Sequence, residues 1–189
     1  MSVTGVARMD YVIVNWALTI GAVFGQIFVI VALIASILKK DKWLIKYVGQ
    51  HGLVFVFIIS LVAMSGSLYY SDVALFTPCR LCWYQRIFMY PIVFLSALSI
   101  IRRSKDIIPY LAMLAGLGLP ISIFHYNLQM NQHLTGSDNC AIAGGASCSE
   151  SYFQHLGYIT IAMLALTAFA MILTCLRYAH RYNQQHKNK

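Results

Sequence analysis

Thr77-Pro78-Cys79-Arg80-Leu81-Cys82-Trp83-Tyr84-Gln85-Arg86 runs directly into an apolar segment that ends at Ile101. Pro78 closes the loop before it, and the segment Trp83–Ile101 is long enough to cross about 30 Å of hydrocarbon as a helix. Four further segments have the same character: Tyr11–Leu38, Leu53–Tyr70, Ile107–Leu128 and Leu156–Leu176. Arg86 is the only formal charge in any of the five. Helices are the expected spanning form, because each backbone amide is then satisfied within its own segment. Composition agrees. The chain has 189 residues, 59% hydrophobic and 11% charged, whereas a soluble domain carries roughly 25% charge. An all-α integral membrane protein with five transmembrane helices is expected.

The net charge of +8 is distributed in a way that argues against nucleic-acid binding. Lys39, Lys40, Lys42 and Lys46 fall between the first two spans, Arg102, Arg103 and Lys105 between the third and fourth, and Arg177, Arg181, Lys187 and Lys189 after the fifth. The second and fourth connections carry Asp72, Asp138 and Glu150, with Arg80 as their basic residue. Basic residues therefore alternate from loop to loop, as the positive-inside rule requires. The expected orientation has the N-terminus outside, the C-terminus in the cytoplasm, and the second and fourth loops outside. The first apolar stretch is too long for a signal-peptide core, and its basic cluster follows rather than precedes it, so a retained helix is expected.

This topology sorts the five cysteines. Cys79 and Cys82 end the second loop, Cys140 and Cys148 lie in the fourth, and Cys175 sits at the cytoplasmic end of the last span. Disulfides persist on the outer, oxidising side and are reduced inside. Static staples are one reading of the outer pairs, but Cys-x-x-Cys closes almost no loop and so removes little entropy from the unfolded chain. Zinc is another. The Cys140–Cys148 spacing is wide for a zinc knuckle and no histidine takes a regular ligand offset, so no metal is expected. Redox exchange is favoured, and Cys175 reads as a packing residue.

With the third helix starting near Cys82, that thiol would face the positive end of the helix dipole, which favours a thiolate. Arg86 lies one turn deeper on the same face. An arginine at that depth is costly and reads as functional, its expected partners being the Cys82 thiolate and the carbonyl of a bound ligand. His125 and Gln129 share a face where the fourth helix leaves the membrane, at the same end as the dyad. Such a polar cluster half sunk in lipid would suit a quinone head group. Trp83, Tyr84 and Tyr90 read as interfacial aromatics and receive little functional weight.

Cys79-x-x-Cys82-x-Tyr84-x-Arg86, His125-x-x-Leu128-Gln129 and the pair Cys140/Cys148 resemble the bacterial DsbB/BdbC disulfide-bond formation family, the Cys-x-Leu-Cys-Trp-Tyr-Gln-Arg wording being nearest to the BdbC branch. The resemblance spans about residues 48–178. It implies a four-helix redox bundle over 48–178, preceded by an extra helix and cytoplasmic loop over 1–47 and followed by a basic tail over 179–189. It further implies a quinone-dependent thiol oxidase of the bacterial inner membrane that reoxidises a DsbA-like thioredoxin-fold partner. Cys140 would form the mixed disulfide, Cys148 would be its pair, and electrons would pass to Cys79/Cys82. From there they would reach ubiquinone or menaquinone, and so the respiratory chain, with Arg86, His125 and Gln129 near the ring.

Two features depart from the family pattern. The first helix is additional, and only seven residues separate Cys140 from Cys148. Rival readings are a vitamin K epoxide reductase-type enzyme, whose loop pair precedes the Cys-x-x-Cys, and a non-catalytic subunit with structural disulfides.

Overall fold

The computed structural model of the protein describes residues 5–135 and 156–187. Five long helices dominate them: α1 (Gly5–Ile37), α2 (Lys42–Leu68), α3 (Arg80–Arg102), α4 (Ile108–Thr135) and α5 (Ile161–Lys187). Each contains a stretch long and apolar enough to cross a membrane, and large apolar side chains such as Ile13, Phe24, Phe94 and Phe124 face outward. A surface of that kind suits lipid rather than water. The chain is an all-α, multi-pass membrane protein, as the sequence indicates.

Several boundaries differ from the sequence reading. Helix α2 begins at Lys42 rather than Leu53, so Lys42 and Lys46 lie on its first turns, not in a loop. Leu44, Ile45 and Val48 on the same turns are buried. The helix extends because this amphipathic stretch packs inward while its lysines reach the interface. Helix α5 begins at Ile161 rather than Leu156. Leu156 and Gly157 adopt positive φ values of 54° and 77°, and Thr160 Oγ1 accepts the Met163 amide at 3.4 Å as an N-cap. At its other end α5 runs unbroken to Lys187, so Arg177 and Arg181 are helical rather than part of a tail. Asp41, just before α2, pairs with Arg181. At the same end, α1 and α3 are followed by the left-handed residues Lys39 and Arg103, whose backbone amides bond back into the last turn.

Helix α5 is the centre of the bundle and touches all four others. Close approach depends on small residues. A Cβ on Gly49 would lie 2.8 Å from the Tyr178 carbonyl, and one on Gly52 would lie 2.8 Å from Ala179 Cβ. On α4, Gly118 leaves the space into which the Phe169 ring inserts. The core that results contains Val56, Ile92, Leu111, Ala115, Phe169, Ile172 and Leu176. Cys175 is buried within it, in agreement with a packing role. This arrangement gathers the C-terminal end of α2 and the N-terminal ends of α3 and α5 around the dyad, at the end of the bundle opposite the lysine and arginine clusters.

Candidate functional site

Cys79 is the N-cap of α3, with extended backbone (φ −73°, ψ 172°), and its Sγ accepts the Cys82 amide at 3.3 Å. The helix starts at Arg80, earlier than the sequence suggested, so the thiol that caps the orphan amide is Cys79 rather than Cys82. The two Sγ atoms stand 2.9 Å apart, placed to pair with each other. The hydrogen bond to Cys82 and burial push the Cys79 thiol up to about 12, only partly offset by His125. Cys79 therefore keeps its proton at neutral pH.

His125 reaches the dyad from α4. Its Nε2 lies 3.6 Å from Cys79 Sγ and 3.4 Å from Gln129 Nε2 one turn further on. Both residues are buried. The fold thus joins His125 and Gln129 to the cysteines, as expected, but through Cys79 rather than Cys82. The ligating atoms of Cys79, Cys82 and His125 all lie within 4.8 Å of one another.

Arg86 takes different partners from those expected. Its Nε donates to Ser67 Oγ at 2.9 Å, and its Nη2 donates to the Ser67 carbonyl at 3.0 Å and to Ser71 Oγ at 3.1 Å. The guanidinium also lies 5.2 Å from the centre of the Trp83 ring. Local backbone explains the serine cradle. Helix α2 ends in a π-turn, Tyr69–Val73, and turns of this kind often mark functional positions. Ser67 and Ser71, four residues apart, there face Arg86, while Tyr70 turns inward. A cation at this depth is satisfied by hydroxyl and carbonyl oxygens before any ligand arrives.

Cys79, Cys82, Arg86, His125 and Gln129 all line one cavity of about 310 Å³. Its remaining walls are largely apolar side chains from α1, α2 and α5, including Leu18, Ile58, Val62, Leu164 and Phe169. Tyr90, one turn below Arg86, also lines it, and its hydroxyl is buried without a hydrogen-bond partner among the described residues. His125 Nδ1 is in the same position. Buried polar atoms are normally bonded, so these two fit a ligand that carries polar atoms into the cavity. Sequence reading passed over Tyr90 because an aromatic near the membrane surface looks like a belt residue; the orphaned hydroxyl is visible only once its neighbours are known. Cys140 and Cys148 lie outside the described residues.

The family model for disulfide bond formation protein DsbB matches residues 50–179. Disulfide bond formation protein C of Bacillus subtilis is 40% identical over 127 residues, covering 66% of this chain and 91% of the relative. Probable disulfide formation protein C of Halalkalibacterium halodurans is 38% identical over 116 residues, covering 61% and 83%. The prophage-derived disulfide bond formation protein B of Bacillus subtilis is 37% identical over 117 residues, covering 62% and 77%. No solved structure gives a significant match. Five apolar spans, a paired dithiol at a helix start and these relatives lead to one conclusion: the chain belongs to the DsbB disulfide bond formation family, and is a multi-pass bacterial membrane protein whose chemistry is thiol oxidation.

Proposed function

We propose that the protein is a quinone-dependent thiol oxidase that reoxidises a DsbA-like thioredoxin-fold partner on the outer face of the inner membrane. The observation that carries this reading is the shared cavity: Cys82, Arg86 and Tyr90, with its orphaned hydroxyl, line it together with His125 and Gln129, and most of its other walls are apolar. A quinone, ubiquinone or menaquinone, supplies an acceptor for two electrons and two protons, with polar oxygens on the ring and an apolar tail. Arg86 and Tyr90 offer donors to such oxygens. The Ser67–Ser71 cradle fixes the guanidinium in advance, so little order need be imposed on binding.

The residues then act in relay. A thiolate of the partner attacks the Cys140–Cys148 disulfide at Cys140, and the partner's second thiol resolves that mixed disulfide. The partner leaves oxidised, and Cys140 and Cys148 become a dithiol. That dithiol reduces the Cys79–Cys82 disulfide by a second exchange and is itself reoxidised. Two electrons and two protons now reside on Cys79 and Cys82. Cys82 is the thiol that faces the acceptor, while Cys79 holds its proton beside His125. A DsbA-type partner is itself a strong oxidant, at about −120 mV, so its reoxidation needs an acceptor with more driving force than an ordinary disulfide. The respiratory chain would then restore the acceptor. The basic end faces the cytoplasm in this scheme, and residues 48–178 form the redox unit.

The test is turnover in detergent with a reduced thioredoxin-fold dithiol protein and a soluble quinone analogue, followed by quinone absorbance. Intact protein should consume one quinone per disulfide formed, and Cys82→Ser and Cys140→Ser should not. Turnover that survives Cys140→Ser would remove the two-step relay. Absence of turnover with every thiol donor would remove the oxidase reading.

A further inference from the structure

Helix α1 lies outside the residues that the family model matches, yet it forms part of the cavity. It is fastened to α5 and the turn before it: Gln26 Nε2 donates to Thr167 Oγ1 at 3.3 Å, Tyr158 donates to Gln26 Oε1 at 3.1 Å, and Tyr178 donates to the Ala32 carbonyl at 2.9 Å. Its tie to α2 is narrower. Tyr70 donates to Asn15 Oδ1 at 2.7 Å, and both side chains are buried, at 5% and 2% exposure. A buried polar pair of that kind fixes the position of α1 at the dyad end of the bundle.

Below that tie Leu18 of α1 still lies against Gly66 of α2, where a Cβ would stand 3.3 Å from Leu18 Cδ1. Ala17 and Gly21 of α1 and Ile58 and Val62 of α2 line the cavity and are at the same time exposed. Residues that are both lining and exposed mark a mouth, and this one opens sideways among lipid-facing side chains. The glycines of α1 point the same way. At Gly25 a Cβ would lie 2.4 Å from Met171 Sδ and 3.1 Å from Thr167 Cγ2, so a side chain there would have to displace its neighbours on α5. At Gly21 a Cβ would meet nothing within 4 Å. A mid-helix glycine costs about 0.5–1 kcal/mol relative to alanine, and no neighbour demands this one. What its missing side chain leaves is open space in the cavity wall.

We propose that α1 is the wall that receives the isoprenoid tail of the quinone, and that the gap between Ala17/Gly21 and Ile58/Val62 is its lateral entrance from the bilayer. This rests on the quinone reading above. The gap belongs to the same cavity as Cys82 and Arg86, so a ring seated beside them would send its tail out along α1. Without α1 the same groove would lie open to lipid on that side.

The test is equilibrium binding to the full chain in detergent, read by quenching of tryptophan fluorescence. Two probes are used: a quinone with a long isoprenoid tail and the same ring bearing only a methyl group. Gly21→Phe should weaken the long-tailed probe about tenfold, roughly the loss of two buried methylene contacts, and leave the methyl probe within about twofold. Ala17→Phe should act in the same direction, and Ile20→Phe, on the lipid side of the same helix, should change neither. If both cavity-side variants leave long-tail binding unchanged, or weaken both probes equally, α1 is not the tail wall. A phospholipid chain filling the gap would give the first of those results. If the intact protein binds neither probe, the quinone reading fails, and the proposal falls with it.

Discussion

Arg86 grips Ser67 twice, through the serine hydroxyl at 2.9 Å and the serine backbone carbonyl at 3.0 Å. The two residues lie on different helices, so this contact ties the start of α3 to the end of α2 beside the dyad. Hydrogen bonds to a charged group contribute about 1.5–3 kcal/mol each. Arg86→Leu is therefore expected to lower the thermal midpoint and weaken quinone binding about tenfold to a hundredfold. Ser67→Ala, which keeps the backbone carbonyl, should give a smaller loss in both. A melting curve and a quinone KM measured on the two variants check the order.

Cys79 is held protonated chiefly by its hydrogen bond to Cys82. In the reduced protein, iodoacetamide should leave Cys79 largely unmodified at pH 8, and its reaction should rise only as the pH approaches about 12. Cys82→Ala removes the principal cause of that shift, so Cys79 should become reactive at lower pH. Peptide mapping after timed alkylation across a pH series reads both outcomes. An unchanged profile in Cys82→Ala would assign the shift to burial instead.

The Tyr90 hydroxyl, buried and unbonded in the cavity wall, is expected to serve the ligand rather than the fold. Tyr90→Phe should leave thermal stability within about 0.5 kcal/mol, since no protein hydrogen bond is lost. It should raise the quinone KM several-fold while the KM for the thiol partner stays fixed. Equal change in both constants would indicate a packing role.

Gly118 faces the Phe169 ring so closely that an added Cβ would lie 2.4 Å from it. Gly118→Ala is expected to destabilise the protein by about 1–3 kcal/mol through overpacking, seen as a lower thermal midpoint. The double variant Gly118→Ala/Phe169→Leu should recover part of the loss. No recovery would place the strain elsewhere.

The legible part of this protein is what local pattern encodes. Runs of apolar residues located all five helices, and the Cys79-x-x-Cys82 spacing, with Arg86 one turn on, located one wall of the cavity. The start of α2 was missed because the hydropathy pattern breaks at Gln50-His51-Gly52, whereas the backbone continues to Lys42 while Leu44, Ile45 and Val48 can still be buried. The partners of Arg86 failed for a different reason. Ser67 and Ser71 are ordinary polar residues until a π-turn aims them at a neighbouring helix, and no periodicity announces that. The position of α1 is likewise set by contacts such as Asn15–Tyr70, 55 residues apart in sequence.

Electron passage through Cys79 and Cys82 can be followed in a single-turnover experiment without oxygen. Oxidised protein is mixed with excess reduced thioredoxin-fold partner, freed of that partner, and then given quinone while absorbance and thiol content are recorded. A Cys79–Cys82 dithiol is expected after the first step, then loss of one quinone per dithiol as the disulfide returns. A dithiol that persists while quinone absorbance stays constant would rule out electron transfer from this pair to quinone.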